Sequence, residues 1–65
     1  MEILLHAAKL EKVSPWLIIF DAYHSKGIEV TAGEIKQAYV KMIKTHKLEE
    51  MVEKYCEEII SRYKG

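Results

Sequence analysis

The chain has 65 residues, a formal net charge of zero and a single cysteine, Cys56. A domain of about this size hides only roughly 60% of the surface that its unfolded chain exposes, so small domains often need a disulfide, a metal or another chain. One cysteine excludes an internal disulfide, and a neutral chain has no overall attraction for nucleic acid or membranes. Because 49% of the residues are hydrophobic, we expect a homodimer or a complex with a larger protein.

The sequence carries no targeting or membrane signal. Met1–Lys9 lacks the basic segment, the long apolar core and the cleavage site of a signal peptide. The longest uncharged apolar run, Pro15–Phe20, is far shorter than the roughly 20 residues that cross a bilayer. A free thiol suits a reducing compartment. We therefore expect a cytoplasmic protein without membrane contact.

Two helices are predicted in the first half of the chain. Apolar residues recur with helical spacing over residues 2–13. Ser14 followed by Pro15 is a start signal for the second helix, since proline has no amide hydrogen to leave unsatisfied at the first helical position. This helix spans residues 15–26, with Gly27 as its C-terminal stop. It is apolar on nearly every side, which predicts a central position in the fold.

The second half is predicted to contain two further helices. Thr31 and Glu34 are placed to form a capping box at the start of a third helix over residues 32–45. The apolar stripe before residue 46 points about 120° away from the stripe after it, so one straight helix could not bury both. We predict a break at residues 45–47 and a fourth helix over residues 47–63. The predicted fold is all-α: a single domain, residues 1–65, with a helix-turn-helix-like core that associates through apolar helix faces.

The third helix divides into an apolar side and a basic side. No acidic residue occurs from Ile35 to Leu48, while the flanking segments are rich in glutamate. Such segregation is typical of a phosphate-contacting surface, although an ordinary solvated lysine face would show it too. Without arginine, the side chain best suited to base edges is Gln37. The inward stripe is predicted to contain Ile35, Ala38, Tyr39, Met42 and Ile43. The candidate nucleic-acid-binding residues are Lys36, Gln37, Lys41, Lys44 and Lys47.

The order of helix, turn and basic helix is that of a helix-turn-helix. Residues 15–42, PWLIIFDAYHSKGIEVTAGEIKQAYVKM, resemble the helix-turn-helix portion of the winged-helix domain in archaeal origin-recognition initiator proteins. The resemblance covers less than half of the chain, and no alternating strands follow that could form a wing. It implies a wingless DNA-binding helix-turn-helix whose reading face carries Lys36, Gln37, Val40, Lys41 and Lys44. The matching residues are Gly27, Val30, Thr31, Gly33, Glu34, Ile35 and Tyr39.

Catalytic and metal-binding patterns are weak. The three histidines and Cys56 are scattered, without a CxxC, HxxxH or HExxH spacing. Asp21 and His24 could pair on one helix, but no nucleophile or phosphate-binding loop accompanies them. Cys56 lies on an apolar stripe and is predicted to be a small buried hydrophobe. We expect a non-enzymatic protein without a metal or cofactor.

Two binding functions remain open. The first is binding of double-stranded DNA through the lysine face of the third helix. The second is that of an accessory subunit, which binds another protein and makes no nucleic-acid contact. The predicted protein interface consists of apolar and aromatic residues from the second and fourth helices, namely Trp16, Ile19, Phe20, Tyr23, Tyr55, Ile59 and Tyr63.

Overall fold

Four α-helices account for most of the chain in a computed structural model that describes residues 2–64. Residues 2–64 contain no β-strand, and the predicted all-α fold is confirmed. Met1 and Gly65, which the predicted domain includes, lie outside the described residues. No helix within residues 2–64 is long and apolar enough to cross a membrane. The helices are α1 (Glu2–Glu11), α2 (Pro15–Ser25), α3 (Ala32–Thr45) and α4 (Glu50–Lys64).

Helix α2 occupies the centre of the fold. It contacts α1, α3 and α4, whereas α3 makes close backbone contacts with α2 and with neither of the other two helices. Helices α1 and α4 also pack against each other. The core therefore takes residues from every helix, including Leu4, Ile19, Ile35 and Val52. The central position that the apolar circumference of α2 predicts is confirmed.

Helices α1 and α2 both end at a residue in the left-handed conformation. Gly27, with φ 73°, follows α2 as predicted. At the end of α1 the corresponding residue is Lys12, with φ 59°. The amide of Val13 donates to the carbonyl of Ala8 at 3.0 Å, the bond that closes a Schellman motif. The predicted α1 is two residues too long, because a lysine takes a position that sequence patterns assign to glycine.

The two predicted N-caps differ in their hydrogen bonds. The amide of Glu34 donates to Oγ1 of Thr31 at 3.2 Å, and the amide of Thr31 donates to Oε1 of Glu34 at 3.4 Å. This is the predicted capping box. Ser14 occupies the N-cap of α2 and Pro15 follows it as predicted, but the Ser14 side chain makes no capping hydrogen bond. The start of α2 therefore depends on proline and on packing.

The predicted break between the third and fourth helices is confirmed. His46, with φ 55°, is left-handed, and α4 begins at Glu50 rather than at residue 47. The hydroxyl of Tyr23 on α2 donates to Oε1 of Glu49 in this linker, at 2.6 Å. Partial burial raises the pKa of Tyr23 to about 12, and the hydrogen bond and negative charge of Glu49 act in the same direction. This bond ties the junction of α3 and α4 to the central helix.

The two N-caps give a direct test of side-chain capping. Replacing Thr31 with alanine removes the side-chain half of the capping box and should lower the free energy of unfolding by about 1 kcal/mol. Ser14→Ala is the matched control, and its effect should be clearly smaller because there is no side-chain bond to lose. Urea denaturation followed by circular dichroism measures both. Equal losses would contradict the difference seen between the caps.

The Tyr23–Glu49 bond predicts how stability changes at alkaline pH. Because the folded-state pKa is raised, its contribution is complete below the unfolded pKa of about 10 and is lost as pH rises through about 12. Tyr23→Phe should cost about 1 kcal/mol at pH 8, and the difference from the wild type should shrink above pH 10. Denaturation at a series of pH values measures this. Tyr39→Phe is the control, since no hydrogen bond to residues 2–64 engages that hydroxyl. A gap that stayed constant to pH 12 would refute the assignment.

Candidate nucleic-acid interface

Helix α3 buries one side only. Ile35 and Met42 are buried, and Ala38 and Tyr39 are half-buried against the core. Ile43, predicted to face inward, is 42% exposed. The prediction is wrong at this position because α2 is the one helix in close backbone contact with α3, and a single neighbouring helix leaves part of the apolar stripe uncovered. The rest of the circumference of α3 faces outward.

The outward side of α3 forms a shallow groove. It is lined by residues that recur every three or four positions, so they share one face of the helix. Lys47 is not among them, because it follows the left-handed His46 and lies in the linker beside Leu48 and Glu49. The structure thus places four of the five predicted nucleic-acid-binding residues in one groove, and Lys47 lies outside this groove, next to Lys41 and Thr45 at the end of α3. The groove residues are Lys36, Gln37, Val40, Lys41, Lys44 and Thr45.

The positive charge of this groove is not neutralised within the described chain. Within residues 2–64 the one ion pair joins Nζ of Lys54 to Oε1 of Glu50 at 3.1 Å, on α4. Glu34 is the sole acidic residue of α3, and its carboxylate is held by Thr31 in the capping box. The groove lysines are therefore exposed and free to attract an anionic partner.

The predicted protein interface is not one surface. Ile19 is 0% exposed and Ile59 is 1% exposed, so both belong to the core of the chain and are unavailable to a partner. Their assignment to an interface is wrong because both lie in the core cluster to which all four helices contribute. The other members differ in exposure: Trp16, Tyr23 and Tyr55 are half-buried, and Phe20 and Tyr63 are exposed.

A second groove lies where α2 meets the turn to α3. The rings of Phe20 and His24 are stacked there, with centroids 6.3 Å apart and an interplanar angle of 11°. Ile28 lines the same groove and is 45% exposed, although the sequence interpretation did not select it. The four-residue spacing of Phe20 and His24 could have indicated the stack, since such residues are neighbours on a helix. Glu29 and Glu34 give this groove an acidic edge.

Asp21 and His24, which could pair on α2, do not form that pair in the described chain. No hydrogen bond within residues 2–64 joins Asp21 to His24. Cys56 is buried as predicted, and burial raises its pKa to about 11, which keeps the thiol protonated at neutral pH. Burial also raises the pKa of Tyr55, and the charge of Asp21 adds to this shift. Over residues 2–64, no three or more His, Cys, Asp or Glu side chains are placed to hold a metal ion.

Comparisons with known proteins give no relative from which the role of the α3 groove could be inferred. No protein-family model, curated protein or solved structure gives a significant match to the chain.

Proposed function

We propose that this chain binds double-stranded DNA, with α3 in the major groove. The observation that carries the proposal is the outward face of α3, where Lys36, Lys41 and Lys44 are exposed without an acidic partner in the described chain. DNA binding depends strongly on the number of phosphates that lysine and arginine neutralise. A local basic surface can supply this attraction although the whole chain is neutral.

The dimensions of α3 suit the proposed contact. Lys36 and Lys44 are eight positions apart, which corresponds to about 12 Å along a helix that rises 1.5 Å per residue. The major groove of B-form DNA is also about 12 Å wide. Lysines at the two ends of the face can therefore reach phosphates on opposite edges of the groove. These contacts would position α3 without selecting a sequence.

The packing of α3 supports the same orientation. Because α3 is held by α2 alone, most of its circumference is free to enter a groove. The linker of residues 26–31 is longer than the turn of about 3–4 residues that is typical of a helix-turn-helix. The proposed similarity to helix-turn-helix proteins is therefore limited to the order of the helices and the basic face, and it does not extend to the length of the turn.

A salt titration tests DNA binding. With three groove lysines contacting phosphates, a plot of log affinity against log salt concentration should have a slope of about −3. The double variant Lys41→Glu, Lys44→Glu should weaken binding at least about tenfold at low salt, and its slope should be shallower by roughly 2. Fluorescence anisotropy with a labelled duplex of about 20 base pairs, long enough for two turns of DNA, measures both values.

The matched control is the double variant Lys9→Glu, Lys64→Glu. This variant changes the net charge by the same amount. Lys9, Lys64 and Lys44 each lie in the last turn of a helix, whereas Lys41 does not. Binding by this control variant should change by no more than about twofold at moderate salt, since α1 and α4 make no close backbone contact with α3 and salt screens the effect of exposed charges outside the groove. Failure of the wild type to bind any duplex at low salt would exclude the proposal, and equal losses in both double variants would reduce it to nonspecific charge attraction.

A second candidate function is protein binding, favoured by the groove at the α2–α3 turn. Phe20 is 36% exposed there, next to the exposed Ile28. Adjacent exposed apolar side chains are typical of contact surfaces. On this candidate the chain is a homodimer, or a subunit of a larger assembly, and the lysines of α3 serve only for solvation.

Sedimentation equilibrium tests the homodimer. The wild type should show twice the mass of one chain at micromolar concentration, and Phe20→Glu should shift it to the monomer, because a buried unpaired carboxylate opposes association. Leu5→Glu, which alters an exposed apolar residue on α1, is the control and should leave the mass unchanged. A monomer at every concentration would exclude the homodimer.

A further inference from the structure

Val40 is an exposed, branched apolar residue on the basic face of α3. It lies in the groove on the outward side of α3, among lysines, and is 47% exposed. It belongs neither to the core nor to the side chains packed against the core. Valine is also a weaker helix former than alanine, leucine or lysine. Neither packing nor helix formation engages the Val40 side chain, which leaves it available to a partner of α3.

Gly33 and Gln37 lie on the same line of α3 as Val40. They precede Val40 by seven and three positions, which places all three on one face of the helix. A Cβ atom added at Gly33 would meet nothing closer than Oγ1 of Thr31 at 3.9 Å, an ordinary contact. The fold therefore has no steric need for glycine, although glycine disfavours a helix. Because Gly33 has no side chain, the helix surface projects less at the first turn of this face, and a partner can approach the backbone there.

The side chain of Gln37 is available to a partner. No hydrogen bond within residues 2–64 engages its amide, and the residue is exposed. A glutamine amide pairs with adenine in the major groove, where it accepts from N6 and donates to N7. The C5-methyl group of thymine is the apolar feature of the same groove and is matched by apolar side chains. Gln37 and Val40 thus carry the two chemistries that an A·T base pair presents.

We propose that α3 reads A·T base pairs in the major groove. Val40 contacts the thymine methyl group, Gln37 hydrogen-bonds to adenine, and Gly33 lets the first turn of α3 come close to the bases. Lys36 and Lys44 hold phosphates at opposite edges of the groove, and Lys41 contacts a third phosphate. The face has no arginine, and its lysines, which can also donate to O6 and N7 of guanine, are assigned to phosphates in this proposal. This inference rests on the proposed binding of double-stranded DNA.

Four synthetic duplexes of equal length separate the possible modes of reading. They contain alternating A·T pairs, the same sequence with deoxyuridine for thymidine, alternating G·C pairs, and alternating inosine·cytosine pairs. Deoxyuridine removes only the methyl group. Inosine·cytosine shows the A·T pattern in the minor groove and the G·C pattern in the major groove, because inosine lacks the amino group of guanine. Competition against one labelled duplex at low salt ranks their affinities.

The wild type should bind the A·T duplex roughly tenfold more tightly than the G·C and inosine·cytosine duplexes. Loss of the methyl group should cost about fourfold, the value of one buried methylene-sized group. Val40→Ala should remove this difference between thymidine and deoxyuridine while keeping the salt dependence. Ile43→Ala is the matched control, since Ile43 is an equally exposed apolar residue of α3 outside the groove. Circular dichroism confirms that both variants are helical.

The outcomes distinguish the inference from the function on which it depends. Equal affinity for all four duplexes, with the expected salt slope, overturns A·T reading and leaves DNA binding intact. Tight binding to A·T and inosine·cytosine alike would indicate reading in the minor groove and also overturns it. An unchanged thymidine preference in Val40→Ala removes the role of Val40. Absence of binding to any duplex excludes both proposals.

Discussion

Helix α2 carries apolar side chains around most of its circumference, and burying them requires neighbours on several sides. Three short helices supply these neighbours, and each is placed by the part of α2 that it covers. Helices α1 and α4 also contact each other, so they close one side of the fold together. Helix α3 covers the remaining side and has no further helix to pack against. The exposure of its outer face is thus a consequence of the shape of the α2 surface and of the small number of helices available to cover it.

The position of α3 is then defined by a few local interactions at its two ends. The capping box of Thr31 and Glu34 determines where the helix begins, and the left-handed His46 determines where it stops. The hydrogen bond from Tyr23 to Glu49 ties the segment after this stop to α2. Since α2 also holds the buried side of α3, one face of α3 and the segment that follows its C-terminal end are both anchored to the central helix. This arrangement leaves the outward side chains of α3 free to contact a partner.

Charge is distributed unevenly on this neutral chain. The groove on α3 has lysines without acidic partners, whereas the groove at the α2–α3 turn has the edge formed by Glu29 and Glu34. Opposite local fields on one small molecule allow different partners to approach different sides. The proposed DNA contact and an association through Phe20 and Ile28 would therefore use separate surfaces, and a chain that did both would be able to place two copies of α3 on one duplex.

The sequence by itself determined the features that depend on near neighbours in the chain. The capping box, the stop at Gly27 and the break after α3 follow from local backbone chemistry and from helical periodicity, and these predictions are confirmed. The lysine face of α3 could be predicted from the sequence for the same reason, because the helical repeat determines which side chains share a face. Only the tertiary structure decided which apolar residues are covered. Ile19 and Phe20 are adjacent and equally apolar, yet one is buried and the other is exposed, because burial depends on where the other helices lie and not on the residue itself.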